Sequence, residues 1–297
     1  MLVCIDQVDG SFEFFDHDKN SWHLLPISLE LSTKQLLCEV QWLQNDTLLF
    51  AFGGRNLSNN PLNLVWSRNL SDYSSQWTNK APMKKNRSNF SSVVFNDNIY
   101  ALGGNFKDYN SKNQILRSCE RYNSQLNKWA TIDSMSIARK NASAAIYNNC
   151  IYIAGGFNEY GVTERSVEKY DFQSETWSEV VPMTTARSHF ALTPFDNCLW
   201  AIGGLGDDKQ ALSSVESYDF KSNKWKPEES LNTGRIGHSA IEFNGELYVV
   251  GGFKKIIKNG KRKMFFKQTI NNLKFNKDSV TLASLATNHF TVYQFLK

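Results

Sequence analysis

Four arginines, Arg87, Arg139, Arg187 and Arg235, each stand sixteen residues before a Gly-Gly pair. Guanidinium groups recurring at a fixed interval can converge, and each offers a planar fork of donors suited to carboxylates or phosphates. Three of the five histidines, His189, His238 and His289, hold similar places in the same register. Three imidazoles are a ligand set for zinc or copper. Because they come from different repeating units, they are read as a polar lining and not as a metal centre. The chain has no His-Glu-x-x-His, Gly-x-Ser-x-Gly or phosphate-loop pattern, the usual carriers of hydrolytic and phosphoryl chemistry. We therefore expect no catalytic activity, no cofactor and no metal.

The elements that must position these residues recur with them. Gly53-Gly54, Gly103-Gly104, Gly155-Gly156, Gly203-Gly204 and Gly251-Gly252 lie 50, 52, 48 and 48 residues apart. A period near fifty marks an array of one supersecondary unit. Three residues before each pair is an aromatic: Phe50, Tyr100, Tyr152, Trp200 and Tyr248. Downstream, Tyr122, Tyr170 and Tyr218 are each followed seven residues later by Trp129, Trp177 and Trp225. Met135, Met183 or Leu231 comes next, and then the following arginine. Ser118, Ser166, Ser214 and Ser11, each with a Glu two residues on, recur as strictly.

One unit reads as four short strands: residues 143–147, 150–154, 166–171 and 176–180. These are runs of apolar and β-branched residues bounded by Asn, Gly and Asp. The second is apolar on both sides, as a sheet covered on both faces requires. Large Tyr and Trp rings suit the space between radially packed sheets. Helical periodicity is almost absent.

The Arg, the aromatic before Gly-Gly and the Tyr-x6-Trp pair resemble the kelch motif over essentially the whole chain. The resemblance implies an all-β fold, a kelch β-propeller with four antiparallel strands per blade. Residues 2–25 enter partway through a blade, with Phe15 and Trp22 at the seven-residue step. Residues 289–296 supply a lone first strand able to complete it. We expect one domain over 1–297 with six blades, the opening blade combining 1–30 and 287–297. A C-terminal strand closing an N-terminal blade removes an aggregation-prone edge. Two blades depart from the pattern. One has Leu37 in place of Arg, with Trp66 and Trp77 eleven apart; the last has Phe275 and Leu282 where Tyr and Trp belong.

The chain has neither a long apolar run nor a signal-peptide pattern, so a cytoplasmic protein away from membranes is expected. Its five scattered cysteines fit buried reduced thiols. Net charge is +4, yet residues 254–267 hold seven basic residues and no acid, leaving the remainder at −3. With Asn259-Gly260 at its centre, that segment reads as a basic β-ribbon. It could hold an acidic partner or a phosphate backbone, or be a solvated loop; nucleic acid is not the expected ligand.

Antiparallel strands put the loop after strand two and the loop before strand one on one face, where a protein substrate would bind. The inner set of candidate contacts is Arg87, Asn89, Arg139, Asn141, Arg187, His189, Arg235, His238 and His289. The outer collar contributes Arg55, Tyr109, Phe157, Tyr160 and Phe253, aromatics and arginine being common interface anchors. A residue repeated in every unit is expected to serve the scaffold, because binding specificity should vary by blade.

The chain is most similar to the kelch half of BTB–BACK–kelch proteins. That likeness implies a substrate-recognition module of a cullin-RING ubiquitin ligase adaptor, reaching cullin only through a BTB domain that this chain lacks. Its first residue falls where a BACK domain would end. An actin-binding or scaffolding kelch protein is the alternative. If the indole of Trp177 is packed between blades, Trp177→Ala should cost roughly 3–5 kcal/mol in a melting experiment.

Overall fold

The computed structural model describes residues 47–253, apart from 57, 70, 73, 108–111 and 244, together with the backbone of strands on either side. The chain divides into two compact units, 30–180 and 1–29 with 181–297. Among the described residues there are six antiparallel sheets of four or five strands and one two-stranded ribbon.

In the unit 30–180, the second sheet runs Gln41–Asn45, Leu48–Phe52, Val65–Asn69 and Thr78–Asn79. The third is Ser91–Phe95, Asn98–Leu102, Cys119–Asn123 and Lys128–Ile132. The fourth is Ser143–Tyr147, Cys150–Ala154, Val167–Asp171 and Thr176–Val180. These four match the sequence expectation almost residue for residue. The turns joining first and second strands, Asn96-Asp97 and Asn148-Asn149, have positive φ at both residues. That is the type I′ hairpin favoured by the strands' own twist.

The other unit holds the fifth sheet, Ala191–Phe195, Cys198–Ile202, Val215–Asp219 and Lys224–Glu228. The sixth is Ile236–Phe243, Glu246–Lys258, Thr269–Asn272 and Lys277–Thr281. Its second strand runs past Phe253 and pairs with Lys261–Phe266, so the basic segment is a β-ribbon. The first sheet joins the two ends of the chain. Phe290–Gln294 pairs with Leu2–Asp6, which continues to Phe12–Asp16 and Ser21–Leu24. The strand register pairs Phe15 with Trp22, as it pairs Tyr122 with Trp129 in the third sheet. Phe275 and Leu282 lie outside the described residues.

First strands of successive sheets adjoin within each unit, and sheets pack face to face through apolar clusters. Phe50, Phe52, Met83, Phe90, Ile99, Tyr122 and Trp129 join the second sheet to the third. Val93, Leu102, Met135, Ile151, Ile153 and Tyr170 join the third to the fourth. Ala191, Ile202, Leu231, Leu247 and Val249 join the fifth to the sixth. Each repeated Trp is pinned by its indole N–H, which donates to a carbonyl of the preceding linker: Trp129 to Ala81, Trp177 to Asp133 and Trp225 to Val181, all at 2.9 Å. Cys119 and Cys150 are buried free thiols, and burial pushes Cys119 up to about 12.

The indoles are not equivalent. Trp129 and Trp225 are only 3% and 8% exposed, whereas Trp177 is half-buried. Phe52 lies 6.2 Å from Trp129; the same repeat position before Trp177 is Leu102, in the cluster against which that indole packs. The full inter-sheet packing expected for Trp177 belongs to Trp129. Trp129→Ala should therefore lower stability by about 3–5 kcal/mol in urea unfolding, with Trp177→Ala clearly less costly.

Candidate functional site

The repeated arginines are internal fasteners. Arg87, Arg139 and Arg187 are fully buried, and Arg235 is 3% exposed. Arg187 shows the arrangement. Its Nε donates to Glu216 at 3.0 Å, Nη1 to the carbonyls of Gly203 at 2.8 Å and Ser214 at 2.7 Å, and Nη2 to Ser214 Oγ at 3.1 Å. Arg87 meets Gly103, Ser118 and Glu120 in the same way, and Arg139 meets Gly155, Ser166 and Glu168. Burial pulls the Arg187 pKa below the usual guanidinium range, with Glu216 opposing.

The second carboxylate oxygen completes the device. Glu216 Oε2 accepts from Thr184 N–H at 2.7 Å, and Glu120 Oε2 from Lys84 N–H at 2.7 Å. Each glutamate thus caps the turn that delivers its arginine. The strict Ser-x-Glu recurrence was the visible signal for this role. The arginine carbonyl reaches the neighbouring sheet, accepting from the second glycine of the preceding pair: Gly54 to Arg87, Gly104 to Arg139 and Gly204 to Arg235, at 2.7–2.9 Å. At Gly103, φ is +64° and a Cβ would lie 2.5 Å from the Arg139 carbonyl, so only glycine fits.

The two departing sheets vary this clasp. Register places Trp66 opposite Ala51, the position that Glu120 takes opposite Ala101. The repeat that lacks arginine, with Leu37 in its place, therefore also lacks the glutamate. In the sixth sheet Asn271 stands opposite Val249 at the same position.

Two residues after each arginine the backbone is left-handed: φ is 53° at Asn89, 52° at Asn141, 51° at His189 and 67° at Gly237. That turn lets one sheet's entry loop bond the next, Asn141 N–H to Asn89 O at 2.8 Å and Gly237 N–H to His189 O at 2.9 Å. Asn89, Asn141 and His189 are half-buried. His238 occupies the repeat position of Phe90 and Phe190 and is buried. Its Nε2 lies 3.0 Å from the Ile202 carbonyl, which fixes the neutral Nε2–H tautomer. Burial, then Arg235, hold its pKa down to about 3.

Five expected inner contacts are therefore corrected. The side chains of Arg87, Arg139, Arg187, Arg235 and His238 are inside the protein because each satisfies carbonyls or carboxylates there. His289 and Tyr109 lie outside the described residues. Among the described residues, no group of His, Cys, Asp or Glu is placed to hold a metal ion, and no helix is long and apolar enough to cross a membrane.

The collar is where repetition stops. Bridges Ser88↔Asn105, Lys140↔Phe157 and Ser188↔Leu205 put the loops after Gly-Gly beside the arginine-bearing entries. Loops 53–64, 155–166 and 203–214 share one hairpin. Asn56, Asn158 and Gly206 N–H groups each donate to the carbonyl four residues on, and the residue three on donates back. That third residue has positive φ in each: Asn59 62°, Gly161 76° and Lys209 61°. Asn158 Oδ1 also accepts from Tyr160 and Val162 N–H. On this fixed template the tips differ: Glu159-Tyr160 in one loop, Asp207-Asp208 in another.

Tyr160 is 82% exposed. Arg55 is half-buried, held by Ser88 Oγ and Asn59 Oδ1 at 2.9 and 2.7 Å. Phe157 is half-buried under the hairpin, and Phe253 pairs with Ile236 and Phe266. Loop 103–118 is four residues longer and forms the ribbon Asn105–Lys107 with Asn113–Ile115. Lys107 reaches Asn60 Oδ1 at 2.8 Å.

Two measurements follow. Arg187→Ala strands a buried carboxylate and should cost about 3–5 kcal/mol in urea unfolding. Arg187→Met with Glu216→Leu should cost less than the single change, as removing both charges usually does. His238 binds its proton near pH 6.5 when unfolded and near about 3 when folded. The unfolded chain is thus favoured as pH falls through that window, and the contribution is intact above it. His238→Phe should flatten the acid-side fall in melting temperature.

The geometry can be set beside known proteins. Residues 6–204 match the KLHDC2/KLHL20/DRC7 kelch-repeats domain, and residues 186–232 match the kelch motif. The chain is 30% identical over 159 residues to spermatocyte protein spe-26 of Caenorhabditis elegans, covering 51% of this chain and 26% of that protein. It is 34% identical over 115 residues to kelch repeat and BTB domain-containing protein 2 of cowpox virus, strain Brighton Red, covering 39% and 19%. To zebrafish kelch-like protein 41a it is 27% identical over 146 residues, covering 48% and 22%. The matches span about a quarter or less of these relatives' length. The solved structure of YjhT superposes with a TM-score of 0.73 at 16% identity, over 83% of this chain and 84% of that one, a likeness of fold. The chain belongs to the KLHDC2/KLHL20/DRC7 kelch-repeats domain family, an all-β propeller fold of the kind that binds other proteins.

Proposed function

We propose that the chain is a non-catalytic protein-binding propeller whose six sheets are the six blades of one domain over 1–297. The collar loops and the entries before the first strands form its binding face. One observation carries this reading. The charged groups that recur in the third, fourth and fifth sheets are consumed by the clasp, whereas residues that differ between repeats, Glu159, Tyr160, Asp207 and Asp208, stand exposed on one rigid loop template. Rigid exposed aromatics lose little entropy on binding and make good anchors. Similarity to kelch-like relatives supports a finer role as the cytoplasmic substrate-recognition module of a cullin-RING ligase adaptor, with cullin engaged through a BTB domain. Actin binding is the second reading, drawn from the family.

Crosslinking followed by mass spectrometry would identify the captured protein. Tyr160→Ala should then weaken capture by roughly tenfold or more. Unfolding stability should stay within about 0.5 kcal/mol, the ring being solvent-exposed. Unchanged capture removes this face from consideration. Transcript mapping upstream of the Met1 codon, together with actin co-sedimentation, separates the two finer roles.

A further inference from the structure

A cleft of about 360 Å3 opens where the linker leaving the third sheet crosses the outer strands of the fourth. Its walls include Arg117, Asp133, Ser136, Trp177 and Glu179. The half-buried indole of Trp177 forms one wall, and Leu102 stands at the repeat position that Phe52 holds beside Trp129. The ring is held in place, because its N–H donates to the Asp133 carbonyl at 2.9 Å. The cleft is therefore preorganised, with an aromatic wall already bared.

Its charges are uncommitted. Glu168 at the floor is spent on Arg139 and Ser136. Among the described residues, neither Arg117 nor Glu179 makes an ion pair, and the Asp133 carboxylate takes only the neighbouring Ser134 N–H. Two available carboxylates thus oppose one guanidinium around an indole, an arrangement that favours a cation. A planar guanidinium can stack on the ring while its edge donors reach a carboxylate, which an ammonium cannot do as well.

We propose that this cleft receives an arginine side chain of a partner peptide, stacked on Trp177 and paired with Glu179 and Asp133. It is separate from the Tyr160 collar tip and does not depend on the role assigned to the collar. Arg117 is the opposing charge, and its removal should tighten the site.

The test uses the full chain and the peptide acetyl-Gly-Arg-Gly-amide, with its citrulline counterpart, at low ionic strength. The readout is the Trp177 indole N–H resonance, assigned through Trp177→Phe. The arginine peptide should give a saturable shift, and citrulline should bind several-fold more weakly. Glu179→Gln should weaken binding by roughly two- to fivefold, the scale of an exposed cation–aromatic or ion-pair contact. Arg117→Ala should strengthen it. Glu179 and Arg117 are both exposed, so neither change threatens the fold. Equal binding of citrulline, no saturable shift, or indifference to Glu179→Gln would overturn the proposal. Weakening by Arg117→Ala would assign the cleft to an anion instead.

Discussion

A buried guanidinium with no partner would be ruinous for folding, and the third, fourth and fifth sheets are organised around preventing that. Arginine offers five N–H donors in a rigid plane. In the third, fourth and fifth sheets those donors are met by a glycine carbonyl, a serine carbonyl and hydroxyl, and a glutamate. The same glutamate caps the turn before its arginine, and the arginine carbonyl binds the preceding Gly-Gly. One residue therefore ties its own sheet together through its side chain and reaches the neighbouring sheet through its carbonyl. Glycine is required because the two backbones approach too closely for a Cβ.

The clasp tolerates removal only as a unit. Where Leu37 replaces the arginine, Trp66 takes the glutamate's place, and an ionic junction position becomes an apolar one. Losing one charge alone would leave the other desolvated; losing both leaves a packing problem that an indole can solve. His238 is a smaller variation on the same logic. It substitutes for a phenylalanine at a packed position and must stay neutral to do so.

In the proposed function recognition falls to the loops after Gly-Gly, because the repeated charges are consumed inside the molecule. Loops after Gly-Gly are anchored at both ends by the clasp, so their tips can vary without weakening the sheets. Asn158 stiffens the hairpin under Tyr160 through backbone donors, and an equivalent turn carries the paired aspartates 207 and 208. A shared geometry with different tips is what a scaffold for selective binding requires. Trp177 shows the converse case, a repeated packing position that is half-buried and lines a cleft.

Strand positions, the Gly-Gly register and the pairing of the chain's two ends were legible in the sequence, because β-strand alternation and glycine's allowed φ are properties of a residue and its neighbours. The partnership of Arg187 with Glu216 was not, though both recurred at one period. Spacing shows that two groups are coordinated; it does not show whether they face each other or the solvent. Burial was decided by tertiary structure alone, since it depends on what the adjoining sheet places overhead. That is why Arg87 and His238 moved from surface to interior, and why Trp129 and Trp177, identical in register, ended with different exposures.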